Sequence, residues 1–370
     1  MTNGAKIAIN GFGRIGRLFF RQAFGKFDIV AINDLSDVEN LAYLLKYDTV
    51  YRRFDKEVKA VVEDGKSYLE IASFASGGAR NDGKVLILQE KDPTKLPWKD
   101  LGVDIVVEAT GVFESFEKAS AHLVAGAKKV IISSPAKDDE RADAKTILLG
   151  VNDAEAGACQ MIATGSCTTN ATHPVAQIML ETVGVKKAVL NTIHSYTGTQ
   201  SLVDGISAGK NKDFRRGRAA AMNLIPSTSG VTVSVTRAVK GLVGKFDGMA
   251  LRVPSITGSL VDFTFISGRP TTVEEVNNIF RRAANDPRWQ GILAVTEDQI
   301  VSSDIIGTPY AAVIDLSFTK VVDGDLVKIF SWYDNEWGYV STLLKHVQLV
   351  SGELISKSRR GTWSPRDFMS

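Results

Sequence analysis

The 370-residue sequence is poor in cysteine and histidine, with two of the first and four of the second. Two cysteines, Cys159 and Cys167, cannot form a disulfide framework in so long a chain, which favours a reducing compartment. No run approaches the roughly 18 apolar residues of a membrane-spanning helix. The first residues also lack the apolar core of a signal peptide. These absences predict a cytoplasmic protein with no membrane span.

The sequence also lacks a strong excess of either charge. It carries 44 Lys+Arg against 42 Asp+Glu, for a net charge of +2. Because a dedicated nucleic-acid binder needs a strongly positive field, this balance argues against such a role, and any anion must be bound locally. The composition, 44% hydrophobic and 23% charged, is that of an ordinary globular protein. The length predicts two domains.

Short apolar strands alternate with helical segments in the first part of the chain. The predicted strands cover residues 5–10, 28–33, 85–88, 104–109 and 129–133, and the predicted helices begin at Arg14 and cover 116–125. Such alternation is typical of a parallel sheet that is covered on both faces. The sequence therefore predicts an α/β fold with a Rossmann-type doubly wound parallel sheet.

The chain changes character after residues 146–152, because the predicted strands become longer and are joined by turns. This pattern predicts an α+β domain with a largely antiparallel sheet, in which Asp323-Gly324 joins the last two strands as a hairpin. Helices predicted over 273–284 and 337–349 cover one face of that sheet. The tail 351–370 has little apolar periodicity and is predicted to be a loop or a frayed terminus.

Three glycines, Gly11, Gly13 and Gly16, form a G-x-G-x-x-G pattern between the first strand and the first helix. They permit a tight turn, the approach of a pyrophosphate and close helix–strand packing, while the helix N-terminus offers free N–H groups to phosphates. Asp34 lies at the end of the second strand, where a carboxylate accepts hydrogen bonds from the adenosine ribose hydroxyls and repels the 2′-phosphate of NADP. The pattern predicts NAD binding, and the alternative is a glycine turn followed by a solvated aspartate.

Two side chains are candidates for covalent chemistry. Cys167 lies in GSCTTNATHP, close to the predicted start of a helix, where the dipole and free N–H groups would lower the pKa of the thiol. His194 ends an apolar strand and is the best candidate for a base, while His173 competes but should face away from the thiol on the same helix. The alternatives are a buried apolar cysteine and a structural histidine.

Hydroxyl groups, a glycine and an arginine recur near these candidates and suit an anionic ligand. They are Ser166, Thr168, Thr197, Ser229, Gly230 and Arg252. Arg252 lies inside a predicted strand, where a guanidinium is costly unless it meets a phosphate or forms a structural salt bridge. The cluster FRRGR at 214–218 could be a nucleic-acid patch, but intersubunit ion pairs or a solvated loop are favoured. No metal site is predicted.

Together these motifs resemble the phosphorylating, NAD-dependent glyceraldehyde-3-phosphate dehydrogenases of glycolysis over nearly the whole chain. The stretches that carry the resemblance are NGFGRIGR at 10–17, AINDLSD at 31–37, LLKYDTV at 44–50, SCTTN at 166–170, HSYTGTQ at 194–200, MALRVP at 249–254 and WYDNEWGY at 332–339. The resemblance implies a Rossmann NAD-binding domain over 1–166, completed by a C-terminal helix at 335–350. It also implies a catalytic domain over 167–334, a C-terminal tail over 351–370 and a homotetramer.

The resemblance also implies roles for individual residues. Cys167 matches the nucleophile of the family and His194 its general base. Inorganic phosphate would bind at Ser166, Thr168, Ser229 and Gly230, and the phosphate of glyceraldehyde 3-phosphate at Thr197 and Arg252. The implied cofactor-binding residues are Gly11, Phe12, Gly13, Arg14, Ile15, Gly16, Asp34, Leu35, Lys91, Thr110, Gly111, Phe113, Ser133, Asn335 and Tyr339.

The sequence departs from the family pattern at several positions. Ala171 replaces a second cysteine, Lys91 stands where arginine is common, Ser229 replaces a threonine, and the segment 205–213 is longer than usual. Three alternatives stay open. They are an erythrose-4-phosphate dehydrogenase, which releases its product by hydrolysis, an enzyme that uses both NAD and NADP, and an RNA-binding or surface-adhesion protein that uses the dinucleotide cleft.

Overall fold

A computed structural model describes residues 4–72, 83–207 and 213–361, apart from the side chains of Glu353 and residues 355–361. The first half of the described chain forms one sheet. Its strands are β1 (Lys6–Asn10), β2 (Asp28–Asn33), β3 (Glu57–Glu63), β4 (Lys66–Ala72), β5 (Lys84–Leu88), β6 (Ile105–Glu108), β7 (Lys129–Ile132), β8 (Ala144–Thr146) and β9 (Met161–Ala163). Five helices connect them: α1 (Arg14–Ala23), α2 (Val38–Lys46), α3 (Trp98–Leu101), α4 (Phe116–Ala119) and α5 (Ala121–Val124).

The predicted parallel sheet is confirmed. Within the described residues the strand order is β3-β4-β5-β2-β1-β6-β7-β9-β8, and every pair from β5 to β8 is parallel. The central strands are mostly buried apolar residues, with polar or charged residues at their ends, as expected for a sheet covered on both faces. The antiparallel hairpin of β3 and β4 at one edge is not predicted by the sequence analysis, and the predicted helix 116–125 is divided at Ser120.

The second sheet follows α6 (Cys167–Thr182). Its strands are β10 (Val185–Ser195), β11 (Ile225–Thr228), β12 (Phe246–Val253), β13 (Ser259–Ser267), β14 (Leu293–Thr296), β15 (Ala312–Val322) and β16 (Leu326–Tyr333). In the described residues their order is β11-β12-β10-β13-β16-β15-β14, and only β10–β12 and β14–β15 are parallel pairs. The largely antiparallel sheet is confirmed, and so is the hairpin, because Asp323 and Gly324 adopt the positive φ of a tight turn.

Helices cover this sheet as the hydrophobic pattern requires. α7 (Val231–Ala238) and α8 (Val273–Ala284) join α6 in one core with the alternating inward residues of β13. α9 (Trp337–Gly361) instead packs beside α1, where Val340, Leu343 and Val347 share a core with Leu18. The predicted loop is wrong for 351–361, because α9 continues through these residues, and residues 362–370 lie outside the described chain. None of the helices in the described ranges has the length and hydropathy to cross a bilayer.

Two buried histidines hold the segment that follows β8. His173 of α6 contacts Leu149 O through Nε2 at 2.9 Å, and His346 of α9 contacts Ile147 O through Nε2 at 2.9 Å. His173 is therefore a packing residue that bonds Leu149 O and Thr169 O, and burial lowers its pKa to about 4.

This burial predicts a loss of stability in acid. The pKa of His173 is 6.5 unfolded and about 4 folded, so its contribution is complete above pH 6.5 and falls as the pH drops toward 4. His173→Gln retains a donor for Leu149 O but has no group that titrates. Between pH 7 and pH 4, we expect the free energy of unfolding of the variant to fall by about 3 kcal/mol less than that of the parent. Urea unfolding at the two pH values measures this difference. Parallel pH profiles of variant and parent would contradict it.

Candidate active site

The structure brings Cys167 and His194 together. Ser166 caps α6, because its Oγ accepts a hydrogen bond from the Thr169 N–H at 3.0 Å, and this cap makes Cys167 the first helical residue. His194 lies near the end of the central strand β10. Cys167 Sγ is 3.4 Å from His194 Nε2, so a proton can pass directly between the two side chains.

The hydrogen bonds of His194 define its tautomer. Nδ1 is 2.6 Å from Ser195 O and 2.9 Å from Arg252 Nη1, and Arg252 Nη1 is 3.1 Å from Ser195 O. A guanidinium can only donate and a carbonyl can only accept. Nδ1 cannot both donate to Ser195 O and accept from Arg252 Nη1, and the contact with the carbonyl is the shorter of the two. With the proton on Nδ1, both contacts of the carbonyl are satisfied and the lone pair of Nε2 faces Cys167. The imidazole is therefore oriented as a base toward the thiol.

Burial dominates the protonation of this pair. It raises the pKa of the Cys167 thiol, although the positive charge of Arg252 and the N–H of Thr168 oppose this shift. Burial and the charge of Arg252 lower the pKa of His194 to about 3. The predicted lowering of the thiol pKa at the helix N-terminus is therefore wrong for this structure, because desolvation outweighs the local donors.

Arg252 lies on β12, directly opposite His194 in the parallel register. In the described residues it forms no ion pair with a carboxylate, and its buried Nε has no hydrogen-bond partner. The structural salt bridge considered in the sequence analysis is therefore not found. An unpaired, largely buried guanidinium with a free donor is suited to an anion.

Arg216 is a site residue that was not predicted, because intersubunit ion pairs or a solvated loop were favoured for the whole cluster 214–218. Arg215 and Arg218 do form exposed ion pairs, with Asp213 and Asp204. Arg216 instead donates to Ser227 Oγ at 2.8 Å, and its charge helps to lower the pKa values of both His194 and Arg252. It therefore adds positive charge to this site. The sequence could not separate it from its neighbours, because three arginines share one short segment.

Tyr333 is a second residue that the sequence analysis missed. Its hydroxyl lies between Thr168 Oγ1 at 3.0 Å and Thr192 Oγ1 at 2.8 Å, and its ring is perpendicular to that of His194 at 5.9 Å. The hydroxyl of Thr168 thus connects α6 to Tyr333 at the end of β16. Tyr333 therefore links the start of α6, which carries Cys167, to the strand that carries His194.

The remaining predicted phosphate residues offer hydroxyls from loops and a helix terminus. Thr197 Oγ1 is 3.0 Å from Thr199 Oγ1, after the end of β10. Ser229 Oγ accepts from Val231 N at 3.3 Å, and Gly230 precedes α7 without a side-chain cap. In the described residues, neither Thr197 nor Ser229 forms a hydrogen bond with Cys167 or His194.

The glycine turn has the shape that a dinucleotide requires. A Cβ on Gly11 would lie 2.6 Å from the backbone N of Thr110, and one on Gly16 would lie 2.1 Å from Gly11 O. A Cβ on Gly13 would meet no atom within 4 Å, so this exposed backbone is open to a ligand. Asp34 Oδ2 accepts from the Phe12 N–H at 2.7 Å, which ties the acidic residue to the turn. These residues fit the cofactor.

Most other predicted cofactor residues follow the carboxyl ends of parallel strands, at the same edge of the sheet. They are Leu35 after β2, Lys91 after β5, Thr110, Gly111 and Phe113 after β6, and Ser133 after β7. Leu35 and Lys91 are exposed, whereas the hydroxyl of Thr110 is engaged by Glu108. Of the turn residues, Ile15 packs on the core and Arg14 forms ion pairs with Asp48 and Glu336.

Asn335 and Tyr339 lie where the second sheet passes into α9. Asn335 Oδ1 accepts from Gly258 N at 3.2 Å and Ser259 Oγ at 2.9 Å, and in the described residues its amide nitrogen makes no hydrogen bond. Because a backbone N–H must donate, the oxygen is fixed and the free nitrogen can serve a ligand. Tyr339 differs, since its hydroxyl bonds Thr164 Oγ1 at 2.9 Å and Gly165 O at 3.1 Å.

A dinucleotide-binding turn in a doubly wound sheet, in a chain that also pairs a thiol with an imidazole and an unpaired guanidinium, is typical of the NAD-dependent oxidoreductases. Comparison with known proteins agrees. Residues 5–116 match the family model for the NAD binding domain of glyceraldehyde 3-phosphate dehydrogenase, and residues 166–335 match the model for its C-terminal domain. The chain therefore belongs to the glyceraldehyde-3-phosphate dehydrogenase family.

Curated relatives extend the similarity over almost the full length. The glyceraldehyde-3-phosphate dehydrogenase of Thermotoga maritima is 44% identical over 355 residues, and that of Streptomyces coelicolor is 42% identical over 355 residues. That of Mycolicibacterium smegmatis is 43% identical over 359 residues. Each alignment covers 94% of this chain and 99% of the relative. The chain is an NAD-dependent oxidoreductase of this family, and the alternatives left open by the sequence are not favoured.

Proposed function

We propose that the chain oxidises D-glyceraldehyde 3-phosphate, with NAD and inorganic phosphate, to 1,3-bisphosphoglycerate. The observation that carries the proposal is the 3.4 Å contact between Cys167 Sγ and His194 Nε2, beside the unpaired guanidinium of Arg252. A phosphorylated aldehyde needs a nucleophile, a base and a cation, and these three side chains supply them.

The reaction begins when Cys167 Sγ attacks the aldehyde carbon. The thiol proton passes through His194 Nε2 to the aldehyde oxygen, which gives a thiohemiacetal. The backbone N–H of Cys167, free at the start of α6, can stabilise the developing oxyanion. Bound NAD supplies the hydride acceptor. As the C–H bond breaks, His194 takes the hydroxyl proton and the carbon becomes an acyl thioester on Cys167.

The second half of the reaction releases the acyl group. An oxygen of inorganic phosphate attacks the thioester carbon, and the sulfur leaves and recovers its proton from His194. We assign this phosphate to Ser166, Thr168, Ser229 and Gly230, and the phosphate of the substrate to Thr197 and Arg252. The positive charge of Arg216 supports either site.

The cofactor would be held by the turn Gly11–Gly16 and by Asp34 at its ribose. The unbonded amide nitrogen of Asn335 suits the nicotinamide carboxamide. Leu35, Lys91, Thr110, Gly111, Phe113 and Ser133 would line the adenosine and nicotinamide halves. We assign Tyr339 a supporting role, because its hydroxyl bonds Gly165 O, two residues before Cys167.

We further propose a cytoplasmic homotetramer with no dedicated nucleic-acid role. Support comes from exposed apolar side chains concentrated in one segment: Leu202, Val203, Ile206, Phe214, Met222 and Leu224. An interface between copies of the chain would remove these side chains from water. Residues 208–212 of the longer loop 205–213 lie outside the described residues.

We also propose two domains. The first is the NAD-binding domain, 1–166, completed by the C-terminal helix 335–350, and the second is the catalytic domain, 167–334. The tail 351–370 follows, and its residues 351–361 are helical.

An assay of NADH absorbance with and without inorganic phosphate tests this function. With D-glyceraldehyde 3-phosphate, we expect sustained NADH formation only when phosphate is present. Without it, formation should stop after about one turnover per site, because the thioester accumulates. Equal steady rates in both assays would contradict phosphorolysis and favour the hydrolytic erythrose-4-phosphate type.

The negative charge of Asp34 should make the protein prefer NAD to NADP. We expect Asp34→Asn to raise the ratio of kcat/KM for NADP to that for NAD by about tenfold, because the change removes repulsion of the 2′-phosphate. Steady-state kinetics with both cofactors measures the ratio. The matched control is Asp37→Asn, which removes the same charge three residues away and keeps a good cap for α2. Equal shifts in the two variants would exclude a specific role of Asp34.

A further inference from the structure

A buried polar network lies beneath the glycine turn, and its central residue has no part in the proposed reaction. Glu108 ends β6 and is 2% exposed. Its Oε2 accepts hydrogen bonds from Asn10 Nδ2 at 2.6 Å and from His122 Nε2 at 3.0 Å. Its Oε1 accepts from the Thr110 N–H at 2.8 Å and from the Thr110 hydroxyl.

The partners define the protonation of this network. Trp98 Nε1 lies 3.1 Å from His122 Nδ1, and an indole N–H can only donate. His122 Nδ1 therefore carries a lone pair, Nε2 carries the proton, and the imidazole is neutral. Four donors surround Glu108, which matches an ionised carboxylate that only accepts. Glu108 is thus a buried negative charge that is held by four neutral donors.

The network joins three adjacent strand ends of the first sheet. Asn10 Oδ1 accepts from Asn33 Nδ2 at 2.7 Å, so the ends of β2, β1 and β6 are linked in order. Asn33 in turn exchanges two hydrogen bonds of 2.9 Å with the backbone of Glu90. Ligands of doubly wound sheets bind at this edge.

The glycine turn rests directly on this network. Gly11 follows Asn10, and its Cα lies so close to the 109–110 backbone that a Cβ would be 2.6 Å from Thr110 N. Glu108 holds both Asn10 and Thr110. The carboxylate therefore controls the two backbone segments that meet at the start of the turn.

We propose that Glu108 is a positioning residue for the cofactor. Its charge holds Asn10 and Thr110 so that the Gly11–Gly16 turn is preorganised for NAD, and it does not take part in the chemistry of Cys167. The proposal rests on the cofactor binding of the family and is independent of which aldehyde is oxidised.

The first test is Glu108→Gln in the full chain. Whichever way the amide turns, its NH₂ group faces at least one N–H that can only donate, from Thr110 on one side or from Asn10 and His122 on the other, so the network cannot be fully satisfied. We expect the Kd for NAD, measured by calorimetry without aldehyde, to rise about tenfold, because a buried donor is left unpaired. The rate at which iodoacetamide alkylates Cys167 in cofactor-free protein should not change, since the thiol pair does not contact Glu108.

A charge-swapped double variant distinguishes positioning from general damage. In Asn10→Asp with Glu108→Gln, the new carboxylate can accept from Gln and from His122 Nε2, which lies 3.3 Å from the Asn10 nitrogen. The amide oxygen of Gln can then accept from Thr110. His122 Nε2 and Thr110 both regain an acceptor, and only the second hydrogen of the Gln amide has none, so we expect the Kd for NAD to return to within about threefold of the parent.

Any of three results would overturn the proposal. The Kd of a folded Glu108→Gln for NAD could change by less than about twofold, or the alkylation of its Cys167 could slow by the same factor as NAD binding weakens. The third is a double variant whose Kd for NAD stays as high as that of Glu108→Gln. If Glu108→Gln does not fold, His122→Gln and His122→Phe replace it. Gln retains both hydrogen bonds of the histidine and should bind NAD normally, whereas Phe should bind it more weakly, and equal affinities would overturn the proposal. Normal NAD binding without aldehyde oxidation in the parent would refute only the proposed substrate.

Discussion

Cys167→Ser is expected to lower kcat for NADH formation by about 10⁴-fold or more, with the fold retained. The base beside it is weak, because burial lowers the pKa of His194 to about 3. Such a base can accept the proton of a thiol as the sulfur attacks, but the far less acidic serine hydroxyl would stay protonated. Stopped-flow absorbance of NADH measures both the burst and the steady rate.

Cys159 provides the matched control. It is buried, and its Sγ lies 3.4 Å from Glu155 O rather than near the imidazole of His194. We expect Cys159→Ser to keep kcat within about twofold, although it can lose some stability because a hydroxyl is buried in its place. A Cys167→Ser enzyme with more than about one hundredth of the parent rate would rule out covalent catalysis at this thiol.

His194→Asn is expected to lower kcat by about 10²–10⁴-fold while KM for the aldehyde changes little. The imidazole moves protons at Nε2 and does not hold the substrate, so its loss should affect the chemical steps more than binding. Steady-state kinetics at saturating NAD and phosphate separates the two parameters.

His173→Gln is the control for His194, because His173 is also a buried histidine but bonds Leu149 O away from the thiol. It should retain the parent kcat at pH 7. A decrease in kcat of equal size in the two variants would indicate that the loss comes from packing. A large rise in KM for His194→Asn with unchanged kcat would assign His194 to binding.

The sheets were predictable because local patterns and burial agree in them. The parallel strands are continuous apolar runs, and Asp323-Gly324 has the turn residues of a hairpin. The β3–β4 hairpin was missed, although Asp64 and Gly65 form an equivalent turn with positive φ. Its strands of seven residues each mix charged and apolar side chains and are only partly buried, so no long apolar run marks them.

The end of α9 was missed for a related reason. Residues 351–361 show little apolar periodicity, yet they continue a helix whose earlier turns are anchored by Val340, Leu343 and Val347. Helix propagation costs little once the first turns are fixed by packing. Sequence periodicity detects the anchored part and not its extension.

Individual site residues were predictable only where local sequence carries the signal. Cys167 at a helix start and His194 at a strand end are local features, and they prove to be neighbours. Arg216 and Tyr333 approach the site through contacts between distant segments, which spacing cannot reveal. The pKa of the thiol was predicted in the wrong direction because it depends on burial in the folded chain.

The central claim is that the acyl group is carried by the sulfur of Cys167. Peptide mapping by mass spectrometry tests this claim directly. The protein is mixed with NAD and D-glyceraldehyde 3-phosphate in the absence of inorganic phosphate and is then quenched in acid. We predict an acyl adduct on the peptide that contains Cys167, lost when phosphate is added before the quench. A burst of NADH with no adduct on that peptide, or with the adduct at another residue, would contradict the account.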